Sequence, residues 1–512
     1  MKDIVLFFEV HQPYRLDRQM NEKFVKASLK GSLDIKHIED IIFDQDLNRL
    51  VIERAANKCY IPATSIILEN VKKFMNSDRK FMVSFGISGV FIEQALRWAP
   101  KVVDLIQELL STDCVELIAQ TYYHSIAPLI PGHRELREQM EEYVKLLKEL
   151  FGVIPTAVEN TEFMYNNDIA CELYSMGFKV ILTEGVDWVL GWRTPNFVYR
   201  SYLCDIRVLT RNYRLSDDIG FRFSNIAWDQ YPLTAEKFAK WLASTPGDVV
   251  LLAMDYETFG EHHWPETGIH EFLKWLPIEV SKYPYLRFST PTIAAYSHPA
   301  VDVYDVPPWT TISWADERDI SAWLGNSLQK SAFNMLLEVK RYIDALEDLD
   351  LLRMWKLLTI SDHFYYMATK FGSFEEVHKY FSPYKNAVDA YSLYIQALTL
   401  LFYLVADKIR KNPSKFISNF TVPIERGFHF KCPQREIPTL TATSIKELKW
   451  ILKAIPDECL VYNINRGDIQ KWLRDVFFLD ELAQEIDEIT RTELSINEKR
   501  NLIVKAIEKY LE

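Results

Sequence analysis

Glycine is scarce in this chain: 16 residues of 512, less than half the roughly 7% of an average protein. So low a content excludes collagen-like and glycine-rich disordered classes. Cysteine is rarer still, with only Cys59, Cys114, Cys171, Cys204, Cys432 and Cys459. None lies in a Cys-x-x-Cys pair, so neither a zinc ribbon nor a thioredoxin-like site is indicated. In a chain this long the six read as small buried hydrophobes in a reducing compartment. Basic runs are missing too. Lys and Arg number 59 against 71 Asp and Glu, a net charge of −12. Tracking a phosphate backbone needs a basic patch, so no nucleic acid is expected among the partners. An acidic surface suits a neutral or cationic ligand. Long apolar runs are also lacking. Residues 4–8 are too few for a signal-peptide core, and polar residues follow at once. The most apolar later stretch, 393–406, carries Gln396 and falls short of the ~20 residues that span a bilayer. The expectation is a cytoplasmic protein with no membrane partner.

What is present is ordinary globular composition, 48% hydrophobic and 25% charged, with an excess of rings: 13 Trp, 26 Tyr and 30 Phe. Flat amphipathic rings serve sugars as stacking surfaces, and they serve cores equally well. Seven short apolar runs, 4–9, 80–85, 115–119, 156–159, 180–183, 206–210 and 249–254, alternate with helical patterns. Near-continuous runs of this kind are strands buried on both faces, as in a parallel α/β sheet. Closure into a barrel would protect the edges. Polar residues cluster just after the runs: His11, then Gln120 to His124, Asn160 to Glu162, Glu184 and Asp255. Strand carboxyl ends form the active face of parallel α/β folds, so five of them deliver chemistry to one rim.

The pattern changes near residue 300. Over 319–406 the apolar spacing is helical, as in Phe333, Leu336, Leu337, Val339 and Ile343. Ser373 with Glu376 has the form of a capping box. A linker is expected at 411–426, then a small α+β domain with strand candidates at 428–431 and 460–462. Ser444/Glu447 and Ser495/Glu498 mark two further helix starts. The expected organisation is a catalytic domain over 1–300, a helical domain over 301–410 and an accessory domain over 411–512.

Four segments carry chemistry. Residues 251–264 end a buried run in Asp255, Glu257, Glu261, His262, His263 and Trp264; burial at a strand end raises a carboxyl pKa, as a general acid near neutral pH requires. Residues 159–167 offer Glu162, with Glu159 as local rival. His11-Gln12-Pro13 and the stretch through Tyr122, Tyr123 and His124 place histidines past two strands. Two carboxylates flanking a bond are the equipment of glycoside hydrolysis. Two histidines with two acids also suit a metal, and on the residues alone that reading stays open.

Together these segments resemble the family 57 glycoside hydrolases, most closely the α-amylase-type members. The matching motifs are His11-Gln12-Pro13; the stretch through Tyr122, Tyr123 and His124; Asn160-Thr161-Glu162; Asp255-Tyr256-Glu257-Thr258-Phe259-Gly260; and Trp314-Ala315-Asp316-Glu317-Arg318-Asp319, followed by Ser321 to Asn326. Supporting matches are 215–224, which includes Asp218, and 361–367, which includes Asp362 and His363. The resemblance covers about residues 1–405. It implies an incomplete (β/α)7 barrel with a helical domain completing the site. It also implies retaining cleavage of α-1,4-glucosidic bonds in α-glucans or maltooligosaccharides, with Glu162 as nucleophile and Asp255 as general acid/base, and no metal or other cofactor. The implied sugar-binding residues are His11, Gln12, His124, Glu184, Asp218, Tyr256, His262, His263, Trp264, Trp314, Asp316, Asp362 and His363. Trp188 and Trp323 are further stacking candidates. One departure is Glu159, where the family pattern has an arginine. A 4-α-glucanotransferase would use the same residues. A metal-dependent deacetylase-like enzyme and a non-catalytic glycan binder are the other readings, and a homo-oligomer is left open.

Overall fold

The computed structural model describes residues 1–30, 35–369, 382–432 and 440–511. The expected cap Ser373/Glu376 lies outside them. The backbone divides into two compact units, Met1–Ala332 with Lys356–Tyr394, and Phe333–Trp355 with Ile395–Glu512.

The first unit is built on a ten-stranded sheet: β1 (Lys2–Val10), β2 (Val83–Ile87), β3 (Val115–Ile118), β4 (Ala157–Glu159), β5 (Val180–Glu184), β6 (Val198–Ser201), β7 (Arg207–Arg211), β8 (Val249–Asp255), β9 (Leu286–Ser289) and β10 (Asp302–Tyr304). Parallel pairing runs from β1 to β2 and β2 to β3. A single parallel bridge, Ala119 to Val158, then leads to β4. From there it passes to β5, β7 and β8, and β8 pairs with β1 over seven residues. β9 adds to the start of β1, while β6 joins β7 antiparallel and carries β10.

Strand side chains alternate between faces. One face is a single apolar cluster: Val5 and Phe7 of β1, Ile118 of β3, Ala157 of β4, Val180 and Leu182 of β5, Leu209 of β7, and Val249, Leu251 and Ala253 of β8. Two residues further along each strand the same face becomes polar. The successors are Glu9, Gln120, Glu159, Glu184, Arg211 and Asp255. The apolar row is the inner core and the polar row forms the floor of a site.

All seven expected runs contain a strand. The second starts at Val83, where pairing with β3 begins opposite Val115; pairing with β1 follows from Ser84, opposite Phe7. β6, β9 and β10 went unforeseen, being three or four residues long and mixed in polarity. Beyond residue 319 the elements are helical as expected: Ser321–Leu324, Ser327–Leu346, Leu349–Leu357, Ser361–Tyr365 and Ala387–Lys411. The last has 25 residues and, by length and composition alone, could cross a membrane. Half of its most apolar stretch is buried within the protein, as in a core helix.

In the second unit β11 (Phe428–His429) pairs antiparallel with β12 (Thr441–Ala442). The strand expected at 460–462 is instead part of the helix Asp457–Asn465. Cys459, Leu460, Asn463 and Ile464 are its buried positions, a helical spacing that a three-residue apolar run does not reveal. Both caps are formed. Ser444 Oγ accepts from Glu447 N–H at 3.1 Å, and Ser495 N–H donates to Glu498 Oε2 at 2.9 Å.

The cysteine reading needs correction. Cys171 pairs with Cys204 and Cys432 with Cys459 in disulfides, with Cα atoms 5.6 and 4.6 Å apart; only Cys59 and Cys114 are free and buried. The partners are 33 and 27 residues apart, so only the fold brings them together.

Phe7 is fully buried in the inner cluster, 5.7 Å edge-to-face from Phe163. Phe7→Ala should destabilise the first unit by about 3–5 kcal/mol, read as a lower urea midpoint at unchanged slope.

Candidate active site

Glu162 sits one turn past β4, in the short turn Thr161–Phe163, with φ of 60°. Phe163 follows at 56°. Two successive left-handed non-glycine residues cost about 1–3 kcal/mol each and persist only where their surroundings dictate them. Those surroundings are specific. Phe163 is fully buried, its ring stacks on Trp314 at 4.8 Å, and its carbonyl accepts from Thr183 Oγ1 at 3.0 Å. Trp314 is brought there by pairing of Ile312 with Tyr165.

Three donors converge on the Glu162 carboxyl. Trp314 Nε1 donates to Oε2 at 2.7 Å, Ser361 Oγ donates to Oε1 at 2.9 Å, and His124 Nε2 lies 3.6 Å from Oε1. Ser361 is placed by the bridge between Ser125 and Ile360 and by its own N–H, which donates to His124 O at 2.9 Å.

The two histidines divide their roles. Their rings stack at 4.1 Å. Burial, then the charge of His124, lowers His11 to about 4, so it is neutral at pH 7. Its Nε2 donates to Asp362 Oδ2 at 3.0 Å, and its Nδ1 accepts from Ser88 Oγ at 2.7 Å. Burial would raise Asp362, but the His11 bond and the nearby positive charge hold it well below the carboxylate range. His124 behaves oppositely. Burial disfavours its charge, yet Glu162 and Glu9 push it up to about 9, so it is a cation. Its Nδ1 donates to Gln120 Oε1 at 2.9 Å.

Asp255 ends the inner row of β8. Burial first, and the Glu162 charge second, raise it to about 7. Just beyond it, Glu257 accepts from Tyr60 Oη and from Gln12 Nε2 at 3.0 Å, and burial lifts it to about 8. Gln12 Oε1 in turn accepts from Arg15 at 2.8 Å.

The remaining expected residues fall into two groups. Several are committed to the protein itself. Glu184 is fully buried and accepts from Arg211 Nη1 at 3.0 Å and Arg318 Nη1 at 2.9 Å. Asp218 accepts from Arg222 at 2.7 Å. Tyr256 is buried, its hydroxyl 2.9 Å from Thr64 Oγ1. His263 ties its loop to Ser224 and to the carbonyls of Ile219 and Gly220. His363 is buried between Phe43 and Tyr394, and Trp323 is 1% exposed, so neither ring offers a surface to a ligand. Others are open. Trp264 is 61% exposed beside a cavity of about 380 Å³ that His262, Tyr231, Ile226 and Glu266 also line. Trp188 and Asp316 are exposed.

Sequence reasoning missed Ser88, Ser361, Arg211, Arg318 and the inner-row role of Glu9. For Glu9 and Arg211 the signal was available: each lies two residues beyond an apolar inner residue. Tyr365 was missed as well. It lies one helical turn from Ser361, and so on the same face. The charges of Glu162, Asp316, Asp255 and Asp362 all act on its phenol.

Comparison with known proteins identifies the family. The family model described as Glycosyl hydrolase family 57 matches residues 5–307. The chain belongs to glycosyl hydrolase family 57. It is therefore an enzyme of a hydrolase and transferase family. A protein of Methanocaldococcus jannaschii named "Putative alpha-amylase" is 44% identical over 419 residues, 80% of this chain and 86% of that protein. Among solved structures, the family 57 branching enzyme of Thermococcus kodakaraensis superposes with a TM-score of 0.56 at 14% identity, over 80% of this chain and 91% of that one. The 4-alpha-glucanotransferase of Thermococcus litoralis gives 0.50 at 14%, over 71% and 56%. At such identities the structural likeness speaks for the fold: a mixed sheet of mainly parallel strands followed by a helical part.

A pH dependence follows from the buried groups. Asp255, Glu257 and His124 have folded pKa values raised to about 7, 8 and 9. Their protonated forms are favoured in the native state, so the stability they contribute is complete below their unfolded values and is lost as pH rises through the folded ones. His11 and His262, lowered to about 4 and 3, act only below about pH 6.5. Urea midpoints should therefore fall between about pH 6.5 and 9, and Glu257→Gln should flatten the slope.

Proposed function

We propose that this enzyme cleaves α-1,4-glucosidic bonds of α-glucans or maltooligosaccharides with retention, through a covalent glycosyl-enzyme. The observation that carries the reading is the contrast between two acids: Glu162, held by three donors on a strained turn, and Asp255, kept protonated by burial to about 7. Retaining glycosidases need a nucleophile and an acid/base of these two kinds. Asp255 gives its proton to the glycosidic oxygen while Glu162 attacks the anomeric carbon. Asp255, now a base, then takes a proton from water, and the resulting hydroxide equivalent releases the sugar from Glu162. Trp314, Ser361 and His124 hold the nucleophile on the line of attack. Both nitrogens of His11 and of His124 already face protein partners, which favours positioning over metal ligation.

The ring of parallel pairings supports the incomplete (β/α)7 barrel as the finer reading of the first unit, with the divisions 1–300, 301–410 and 411–512 kept from the sequence. The implied sugar contacts narrow to Trp264, Asp316 and the half-buried His262, and the half-buried Tyr365 joins them.

A second reading, 4-α-glucanotransferase, is favoured by the aromatic cavity between Trp264, on the loop that follows Asp255, and Tyr231, on the loop before the helix Ala235–Ser244. An acceptor sugar held there would replace water. Incubation with maltotetraose separates the two: longer oligosaccharides mean transfer, net new reducing ends mean hydrolysis. Glu162→Gln and Asp255→Asn should each lower kcat by about a thousandfold or more, and full activity in either would sink the assignment. Trp314→Phe keeps the ring on Phe163 but removes its N–H from Glu162. It should lower kcat by roughly tenfold to a hundredfold, the worth of a hydrogen bond to a charged group, with KM little changed.

A further inference from the structure

Glu9 and Glu159 take no part in the chemistry above, yet they lie directly behind it. Glu9 is 3% exposed and Glu159 fully buried. Gln120 Nε2 donates to Glu9 Oε1 at 2.8 Å, and His124 Nδ1 lies 3.4 Å from the same oxygen. Phe163 N–H donates to Glu159 Oε1 at 3.2 Å. Each carboxyl thus holds one part of the nucleophile's support: His124 in the case of Glu9, the left-handed turn in the case of Glu159. The other oxygen of each, Oε2, is buried and has no donor. The two carboxyls lie close enough for each to act on the titration of the other.

The groups around the pair come from every element packed on it. His124 follows β3, Glu162 follows β4, and Asp255 stands opposite Glu9 in the register of β1 with β8. Tyr143, from the helix Arg134–Phe151, lies within reach of both charges and donates to Ile87 O at 2.6 Å. β2 presents Gly86 opposite Glu9. Of the groups acting on Glu9 and Glu159, His124 is the cation, and it also serves Glu162. One imidazolium cannot balance three neighbouring anions, and two buried carboxylates side by side do not both ionise.

We propose that Glu9 and Glu159 are a positioning pair that holds a proton between their Oε2 atoms and thereby keeps His124 and the Glu162 turn in place. The pair supplies the donor that both orphaned oxygens lack. The proposal rests on the reading of Glu162 as nucleophile. Burial pushes both acids up, Glu159 to about 8; the Glu159 charge adds to the rise of Glu9, while the bond to Glu9 works against the rise of Glu159. Loss of the proton leaves two anions behind Glu162: Glu9 then draws His124 away from it, and Glu159 repels it.

The test compares the full-length wild type with Glu159→Gln and Glu159→Leu. Gln keeps an acceptor for Phe163 N–H and a donor for Glu9 but cannot titrate. Infrared spectra between about pH 5 and pH 10, wild type minus Glu159→Gln, should contain the carbonyl band of a protonated carboxylic acid that disappears in the alkaline range. On maltooligosaccharides the alkaline limb of kcat/KM should fall with the loss of one more proton in wild type than in Glu159→Gln, the proton of the pair. At neutral pH, Glu159→Gln should keep kcat within about twofold, and a folded Glu159→Leu should lose about tenfold or more in kcat at unchanged KM. Absence of the acid band, or identical limbs in wild type and Glu159→Gln, would overturn the proposal. Should the wild type not act on glucans at all, the functional reading fails while the infrared difference still decides the pair.

Discussion

Everything at this site depends on one constraint of strand geometry. Side chains alternate, so each strand of the parallel ring contributes one row to the inner face. In six of the seven strands that row is apolar before its carboxyl end and turns polar there, at about the same height; β2 has Ser84 and Gly86 in the same place. The apolar part is a core that excludes water. The polar part is therefore placed in a low-dielectric setting, where an ion must find a partner or lose its charge. Four of the six polar row-ends are acids, Glu9, Glu159, Glu184 and Asp255, and only one, Arg211, is a cation. The excess of acid forces a division. Glu184 takes the arginines, Arg211 from the row and Arg318 from the later segment. The others have no arginine bonded to them among the described residues, and burial raises all four, the arginines opposing it at Glu184. A buried acid protonated to about 7 owes that proton to its surroundings rather than to its residue type.

Sequence reading recovered the inner rows well, because buried parallel strands are short unbroken apolar runs and their ends are marked by polarity. Glu162 and Asp255 were legible for that reason, with the motif resemblance giving them roles. The short strands β6, β9 and β10 were not legible, since strands of three or four residues with mixed polarity have no period to count. Residues 460–462 were misread for a related reason: three apolar residues fit either period, and only the burial of Asn463 and Ile464 selects the helix. The disulfides were invisible because proximity of Cys171 to Cys204 is a product of tertiary structure. Of the site list, the residues that sequence placed at the sugar but the fold places in ion networks or core, Glu184, Asp218, Tyr256, His263, His363, share a property. They lie inside motifs because the motifs encode the scaffold of the site as well as its reactive groups.

Trp314 shows why that distinction matters. A tryptophan beside two carboxylates suggests a stacking surface for a pyranose ring. Here its face is already covered by Phe163 at 4.8 Å and its N–H is already given to Glu162. Both contacts bear on the same backbone feature. The left-handed pair Glu162–Phe163 is unfavourable on its own, while burying a phenylalanine is worth about 1.5–3 kcal/mol and an aromatic pair about 0.5–1.5 kcal/mol more. These terms are of the size needed to hold the turn. The strained conformation in turn lifts Glu162 off the strand, one residue beyond the row, toward Ser361 and His124. Glu162 is thus positioned by segments far away in sequence, 312–314 and 359–361, each pairing its backbone with a loop at the strand ends. The reactive arrangement therefore cannot form from the parallel strands alone. It forms when these two later segments close over them, and the same closure supplies Arg318 to Glu184 and Asp362 to His11.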